Sequence, residues 1–350
     1  MNAGRPTATK VHWWWIGGAL ALTMFVALGA SLMGAVDIAP AEIFRSVWSR
    51  IPVIGGDNPP DARTDAIVWE IRLPRIVLGL LVGSMLSVAG AAYQGVFRNP
   101  LADPYLLGAG AGAGLGATIA IVYLPEIGWG MFDPLPLAAF VGAMVGVGLA
   151  YLLGYTVRSG RTSVTLILAG VAVAAFLTAV QTFIQQRESD TLREVYGWIL
   201  GSLNTAGWSE VTLVAPYVAV CGGAIFVYRR LLDVLAVGDT EAAALGVKPQ
   251  SLRLLIVVFA TLGTAAVVAV SGLIGFVGII IPHTVRLLTT SSYRAIVPLS
   301  FILGGGFLVF ADIIARTAQA PAEIPIGVVT ALIGAPFFAV VLRKSKGIVS

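Results

Sequence analysis

Long apolar stretches alternate along this chain with short segments that carry nearly all of its charges. A helix that crosses a hydrocarbon core needs about 20 apolar residues, with a range of roughly 17–25. Nine windows of at least 17 residues contain no Asp, Glu, Lys or Arg: 11–36, 76–97, 104–125, 134–157, 162–186, 211–228, 254–285, 295–311 and 324–342. The pattern predicts an all-α polytopic membrane protein with a single transmembrane domain over 1–350.

One of these windows is too long for a single crossing. Window 254–285 has 32 residues, which as one helix would measure about 48 Å. Ser271 and Gly272 lie near its middle and offer a turn between two helices. We therefore predict ten transmembrane helices.

The distribution of basic residues tests this count, because cytoplasmic loops of membrane proteins carry an excess of Lys and Arg. Ten spans with a cytoplasmic N-terminus place 14 basic residues inside and 8 outside. If window 254–285 is a single span, 10 basic residues lie inside and 12 outside. The bias favours ten spans, with both chain ends in the cytoplasm and the protein in the cytoplasmic membrane.

Four segments lie outside the predicted spans and define the organisation of the domain. Residues 1–12 and 343–350 are predicted cytoplasmic tails, 37–72 an ordered outer loop with a short helix, and 231–250 a cytoplasmic segment. Residues 187–210 mix charges with tryptophans and are predicted to be an outer, partly interfacial element. The first apolar run is too long for a cleaved signal peptide, so we expect it to remain as a span.

Composition excludes several classes of protein. Hydrophobic residues make up 57% of the chain and charged residues 11%, against roughly 45–50% and 25% in soluble proteins. A net charge of +4 is too small and too dispersed for nucleic-acid binding. The single cysteine, Cys221, and two histidines offer neither a disulfide nor a metal cluster. The sequence predicts no resident cofactor or metal and no catalytic site.

Glycines between 108 and 116 loosely fit a dinucleotide-binding fingerprint, but they lie inside an apolar window without a preceding strand. Small residues for close helix packing are the better interpretation. The sequence also contains no Gly-x-x-x-x-Gly-Lys-Ser/Thr motif, so ATP-driven transport would require a separate ATPase chain.

Ionisable residues are nearly absent from the predicted spans, and the exception is Asp312. It lies four residues before Arg316 and can face it on a helix. A local ion pair is the favoured interpretation, with a proton-carrying role as the alternative.

The cytoplasmic segment predicts a short helix. Asp239 or Thr240 can cap its N-terminus, Glu241 suits its positive end, and Gly246 can close it. A helix with such small side chains suits either a plain surface position or insertion into a groove of a partner.

Five stretches resemble the FecCD type of permease, the membrane subunits of ABC importers for iron chelates and vitamin B12. They are 71–75 (IRLPR), 90–94 (GAAYQ) with 98–104 (RNPLADP), 238–247 (GDTEAAALGV), 275–278 (GFVG) with 282–286 (PHTVR), and 312–316 (DIIAR) with 323–327 (EIPIG). They occur in order at the predicted span ends, and the ten-span architecture of that family, a type II importer permease, agrees with our count.

The resemblance implies an assembly. Two permease copies, expected here as a homodimer, form a central pathway in the lipid bilayer. Two cytoplasmic ATPases use ATP and Mg, and a substrate-binding protein docks outside. ATP binding and hydrolysis drive alternating access, and the substrate passes unchanged.

The resemblance also assigns residues. Arg72, Arg75 and Arg316 match outer arginines that receive acidic residues of the binding protein, a role that suits bidentate guanidinium groups. Lipid headgroup anchoring or pairing with Asp312 is the alternative. The expected ATPase-coupling residues are Gly238, Asp239, Glu241, Ala242, Leu245 and Gly246.

The resemblance also assigns gate residues at the cytoplasmic end of the pathway. Asn99 and Leu101 match a cytoplasmic constriction, and Thr162 and Ser163 lie where a second one is expected. His283 follows a proline and is expected to be structural, because no second metal ligand accompanies it.

The substrate stays open among ferric siderophores, heme and cobalamin, with an iron complex favoured. Two other classes of function are the alternatives. Sparse charge in the spans counts against an ion-coupled secondary transporter, and the gate and coupling segments count against a purely structural scaffold.

Overall fold

The computed structural model describes residues 13–34, 36–50, 61–124, 133–156 and 163–346. Within these ranges the regular secondary structure is entirely helical, as predicted. Its α-helices are α1 (Trp13–Leu32), α2 (Pro40–Ser49), α3 (Ala62–Ala66), α4 (Leu73–Phe97), α5 (Ala109–Tyr123), α6 (Pro134–Thr156), α7 (Ser163–Arg187), α8 (Leu192–Ile199), α9 (Trp208–Tyr217), α10 (Gly223–Val237), α11 (Asp239–Ala244), α12 (Pro249–Ser271), α13 (Val277–Leu288), α14 (Tyr293–Thr317) and α15 (Ile326–Lys346).

Ten apolar helical stretches are present in the described ranges. Seven are long and apolar enough to cross a membrane: Trp13–Leu32, Ala62–Phe97, Pro134–Tyr155, Val164–Arg187, Trp208–Val237, Pro249–Ser271 and Tyr293–Thr317. Three shorter ones are Ala109–Tyr123, Val277–Leu288 and Ile326–Val341. Their number agrees with the predicted ten spans.

The predicted break in window 254–285 is confirmed. Helix α12 ends at Ser271, Gly272 follows with φ +68°, and α13 begins at Val277. A side chain at Gly272 would collide with the backbone oxygen of Trp198. Glycine is therefore required both by the left-handed backbone and by the close approach of another segment.

The outer loop is more helical than predicted. Its described parts contain α2, and α3 runs on through a π-helical turn, Ile67–Arg72, into α4. The Asp61 side chain accepts a hydrogen bond from Thr64 N and caps this extension. Window 76–97 stops at Arg75, and four more charged residues lie between 62 and 72. Hydropathy alone therefore did not reveal that the helix begins this early.

Helix α4 lies at the centre of the bundle. In its most apolar window 83% of the residues are buried, against 11% in α1. It packs against α10, α12, α13 and α14. A Cβ at Gly83 would collide with the carbonyl oxygen of Gly304, and one at Gly90 with that of Gly278. Glycine thus allows α4 to touch α14 and α13 backbone to backbone.

The glycine run in α5 has the packing role that was predicted. Side chains at Gly112 or Gly116 would collide with the backbone oxygens of Gly142 or Ala138 on α6. At this spacing of four residues, the two helices are in direct backbone contact along one face.

Candidate functional site

Three breaks between helices meet in the middle of the bundle. We call them the junction, which comprises 199–203 at the end of α8, 271–276 between α12 and α13, and 324–327 at the start of α15. Backbone hydrogen bonds join them: Ser202 N to Ser271 O at 2.9 Å, Ile326 N to Gly201 O at 3.2 Å, and Gly327 N to Leu200 O at 3.0 Å. These bonds satisfy polar backbone groups that the helices leave free.

Tyr105, from the turn before α5, also binds the junction. Its hydroxyl donates to Ile274 O and accepts from Ile274 N, both at 3.2 Å. Gly201 has φ +73°, and a side chain there would meet Leu273 O. The junction is therefore a defined structure held by both backbone and side chain.

The junction lies deep in the bundle. Leu203 is 1% exposed and lies beside Gly79 of α4, and α13 begins close to Gly90, further along the same helix. Gly201 and Leu203 are thus enclosed by the bundle, and the outer, partly interfacial position of 187–210 stays a prediction. Non-helical backbone at membrane depth occurs where it is enclosed by protein or lines a cavity.

A hollow of about 420 Å³ opens beside the junction. It is lined by Ile199, Leu200, Leu273, Gly275, Phe276, Gly327, Val328, Ala331 and Leu332. All nine are apolar residues or glycines. Such a surface can contact a guest through dispersion and apolar burial, without strong polar bonds that would hold it in place.

The three arginines predicted to dock a binding protein are buried in this chain. Their exposed fractions are 4% for Arg72, 8% for Arg75 and 7% for Arg316. Arg75 donates to Asp312 through Nε and Nη2 at 3.0 and 2.8 Å, and its Nη1 donates to Glu323 Oε1 at 2.8 Å. This is a fork geometry in which one guanidinium binds two carboxylates.

Arg72 and Arg316 bind the C-terminal end of α1. Arg72 Nη1 donates to Ser31 O at 2.7 Å, and its Nη2 donates to Val36 O. Arg316 Nη2 donates to Ala30 O at 2.7 Å. Both cations satisfy carbonyl groups that a helix end leaves free, where positive charge is also favoured by the helix dipole.

The local pair of Asp312 with Arg316 is present but secondary. Arg316 Nε lies 3.4 Å from Asp312 Oδ2, whereas Arg75 makes the shorter contacts. Glu323 follows α14, outside the spans, and is the more exposed carboxylate of the cluster. The neighbouring guanidinium of Arg75 lowers the pKa of the Glu323 carboxyl. The docking role of the arginines stays a prediction.

The predicted gate residues lie in the turn that follows α4. Arg98 ends that helix with φ +51°. Asn99 Oδ1 accepts a hydrogen bond from Leu101 N at 3.0 Å, which fixes the turn. Of the second predicted pair, Thr162 lies outside the described residues, and Ser163 is described only as the start of α7.

The short helix predicted in 231–250 is present as α11. Gly246 follows it with φ +80° and closes it as predicted. The predicted cap is wrong: Gly238 is the N-cap, and Asp239 is already the first helical residue. Its carboxylate is instead held by two arginines, Arg98 and Arg253.

The remaining residues predicted to couple to an ATPase lie on and beside α11, and their role stays a prediction. Ala242 is buried, Leu245 is 70% exposed, and Glu241 folds back towards Gly238. A mostly exposed short helix presents side chains to a partner without rearrangement of the bundle.

His283 has an apolar neighbour. Its ring meets Phe337 edge-on, with centroids 5.9 Å apart. Among the residues that the structure describes, no group of three or more His, Cys, Asp or Glu is placed to hold a metal ion. The contact with Phe337 fits a packing role.

Comparison with known proteins gives a consistent result. The FecCD transport family matches residues 20–344. The ABC transporter permease YvrB of Bacillus subtilis is 40% identical over 93% of this chain and 92% of its own length. The cobalamin import permease BtuC of Halobacterium salinarum is 40% identical over 85% of this chain and 82% of its own length. The hemin permease HmuU of Yersinia pestis is 35% identical over 95% of this chain and 96% of its own length.

A solved structure agrees with these relatives. An ABC transporter ascribed to the metal-chelate type, in an inward-facing conformation, matches with a TM-score of 0.81 and 28% identity. The match covers 95% of this chain and all of that one. The chain is therefore a multi-pass membrane protein and a member of the FecCD transport family of ABC permeases.

Proposed function

We propose that this permease imports an iron chelate, either a ferric siderophore or heme, and that cobalamin is the second candidate. Relatives named for hemin, iron(3+)-hydroxamate, Fe(3+)-citrate and cobalamin import support this range. The observation that carries the proposal is the apolar hollow beside the junction. A large chelate with an apolar rim can pass such a surface without being trapped by polar contacts.

The junction fits a pathway that changes shape. Broken helices at membrane depth are typical of transport sites, because they place short rigid pieces around a cavity. The hydrogen bonds among 199–203, 271–276 and 324–327 connect the pieces that line the hollow. Alternating access would move these pieces relative to the rest of the bundle, and the substrate would remain chemically unchanged.

The proposed assembly contains two copies of this chain in the cytoplasmic membrane, both with cytoplasmic termini. Two ATPase subunits supply ATP hydrolysis with Mg on the inner side, where α11 is presented, and a substrate-binding protein delivers the chelate from outside. Selectivity would then reside mainly in the binding protein, because the side chains that line the hollow are all apolar and offer no charged or polar group to identify a ligand.

Docking of the binding protein is proposed at the outer ends of α4 and α14. Asp37, Asp312 and Glu323 balance the charge of the three arginines. Acidic groups of the binding protein would compete for Arg75 with Glu323, whose side chain is 37% exposed.

Uptake into proteoliposomes tests the function. The permease is reconstituted with its ATPase and binding protein, and uptake of a ferric siderophore, heme and cobalamin is measured with ATP inside. We expect ATP-dependent, vanadate-sensitive uptake of one iron chelate. Vanadate-insensitive uptake driven by an ion gradient without the ATPase would overturn the proposal in favour of a secondary transporter.

A further inference from the structure

One carboxylate on α11 is bound by arginines from two other helices. Asp239 Oδ1 accepts hydrogen bonds from Arg98 Nη2 at 2.7 Å and from Arg253 Nη2 at 3.0 Å. The second oxygen, Oδ2, lies 3.2 Å from the same Arg253 nitrogen. We call these three residues the clasp.

The clasp joins elements that are distant in sequence. Arg98 is 141 residues from Asp239 and ends α4, the central helix. Arg253 lies in α12, close to its start. The clasp therefore connects α11 to the two helices that run through the core of the bundle.

The position of Arg98 connects α11 to the turn that follows α4. Its φ of +51° marks the point where the chain leaves α4 and enters the turn that contains Asn99 and Leu101. A displacement of the Arg98 side chain by Asp239 acts on this turn at its first residue. The side chain of Arg98 is 38% exposed, so it has room to follow α11.

Arg253 is the fixed member of the clasp. Its side chain is only 5% exposed, and its Nε has no hydrogen-bond partner among the described residues. A buried guanidinium needs a counter-charge, and in the described structure Asp239 supplies it. The ion pair thus holds the start of α11 against α12.

Backbone attachment of α11 is comparatively loose. Gly238 precedes the helix with an extended backbone, and Gly246 follows it with a left-handed one. Of the six helical residues, only Ala242 is buried. A six-residue helix between two glycines can rotate or shift as a unit, and Asp239 is its ionic link to α4 and α12.

We infer that Asp239 is a positioning residue that transmits movement of α11 to the turn after Arg98, and so couples ATP hydrolysis to opening of the cytoplasmic gate. The inference deepens the proposed function and rests on it. A plain role in stabilising the N-terminus of α11 is the competing explanation, because a carboxylate there is favourable in any helix.

The first experiment measures uptake and ATP hydrolysis in the same proteoliposomes. Asp239→Asn and Arg98→Gln should retain ATP hydrolysis near the wild-type rate, while substrate moved per ATP falls about tenfold, a usual size for coupling between sites. The double variant should be no worse than either single one, because both changes break the same pair. Asp239→Glu should restore coupling.

The matched control is Arg230→Gln, which removes an exposed arginine of α10 on the same predicted face. It should leave the ratio of uptake to hydrolysis unchanged. An unchanged ratio in Asp239→Asn and Arg98→Gln would overturn the inference. A parallel loss of hydrolysis and uptake would also overturn it, since it would indicate a role in assembly only.

A second measurement does not depend on transport. Hydrogen exchange on the purified full-length permease reports the turn bonds Leu101 N to Asn99 Oδ1 and Ala102 N to Asn99 O. Asp239→Asn should speed exchange of these amides, whereas Arg230→Gln should not. Unchanged exchange in Asp239→Asn would refute the link between Asp239 and the turn, even if uptake failed for another reason. Faster exchange in a permease that shows no ATP-driven uptake would refute the proposed function but not the link.

Discussion

The guanidinium of Arg75 on α4 lies against the carboxylate of Asp312 on α14, with Nη2 to Oδ1 at 2.8 Å and Nε to Oδ2 at 3.1 Å. The two residues are 237 positions apart, and both are buried. The pair joins the N-terminal end of α4 to the C-terminal end of α14, and the two helices are also in backbone contact at Gly83 and Gly304. Glu323 extends the link to the segment that leads into α15.

Loss of this pair should destabilise the protein strongly. Arg75→Gln leaves Asp312 buried without its main counter-charge, a situation that costs about 3–5 kcal/mol in known cases. Thermal unfolding of the detergent-solubilised permease measures the effect. Arg50→Gln is the control, because Arg50 is 50% exposed in its pair with Asp65 and should lose less than about 1 kcal/mol. Equal losses in both variants would contradict a structural role for the buried pair.

Acid should weaken the cluster of Arg75, Asp312 and Glu323. Arg75 lowers the pKa of Glu323 below its usual 4.5, so ionised Glu323 stabilises the fold above its unfolded pKa. This contribution is lost as the pH falls through the lowered, folded-state pKa. Midpoints of thermal unfolding between pH 6 and pH 3 should therefore drop more steeply in the wild type than in Glu323→Gln. Parallel curves would show that the contact adds nothing to stability.

Contact between α4 and α13 should not tolerate a methyl group. Gly90→Ala places a Cβ against the carbonyl oxygen of Gly278, and overpacking of this kind costs about 1–3 kcal/mol or more. The yield of monodisperse protein and its unfolding midpoint should both fall. Gly223→Ala is the matched control in α10, where nothing lies within 4 Å of the added atom. An unfolding midpoint that is unchanged in Gly90→Ala would mean that α4 and α13 can move apart at little cost in stability.

Filling the apolar hollow should block transport without unfolding the protein. Ala331→Trp adds an indole to the lining, and we expect most uptake to be lost while the unfolding midpoint changes little. Leu28→Trp, at a site on α1 that is 61% exposed, should transport normally. Normal uptake by Ala331→Trp would place the pathway elsewhere.

Helix number and local turns could be read from the sequence because each depends on neighbouring residues. Apolar windows indicate spans directly, Gly272 predicts the break after α12, and Gly246 predicts the end of α11. The N-terminal extension of α4 could not be predicted, because residues 62–72 contain charges. A search for charge-free windows leaves out an arginine such as Arg72, although the fold buries it.

Contacts over long sequence distances could be predicted only in part. Pairing of the three arginines with Asp312 is one of the sequence alternatives, but the spacing of four residues favours Arg316, whereas Arg75 makes the shorter bonds from another helix. Capping rules suggested that Asp239 would cap α11, but two distant arginines hold its carboxylate. The burial of Gly201 and Leu203 likewise depends on bonds to 271 and 326–327. In each case tertiary packing outweighed a local preference.

The contact between α5 and α6 limits how this permease can change shape. Where Gly112 and Gly116 meet Gly142 and Ala138, carbonyl oxygens occupy the space that side chains would fill. Sliding one helix past the other would drive backbone atoms into each other, so the pair has to travel as a single rigid block. A covalent cross-link between α5 and α6 should therefore leave the transport cycle intact, and the surfaces that slip during transport must lie between this block and its neighbours.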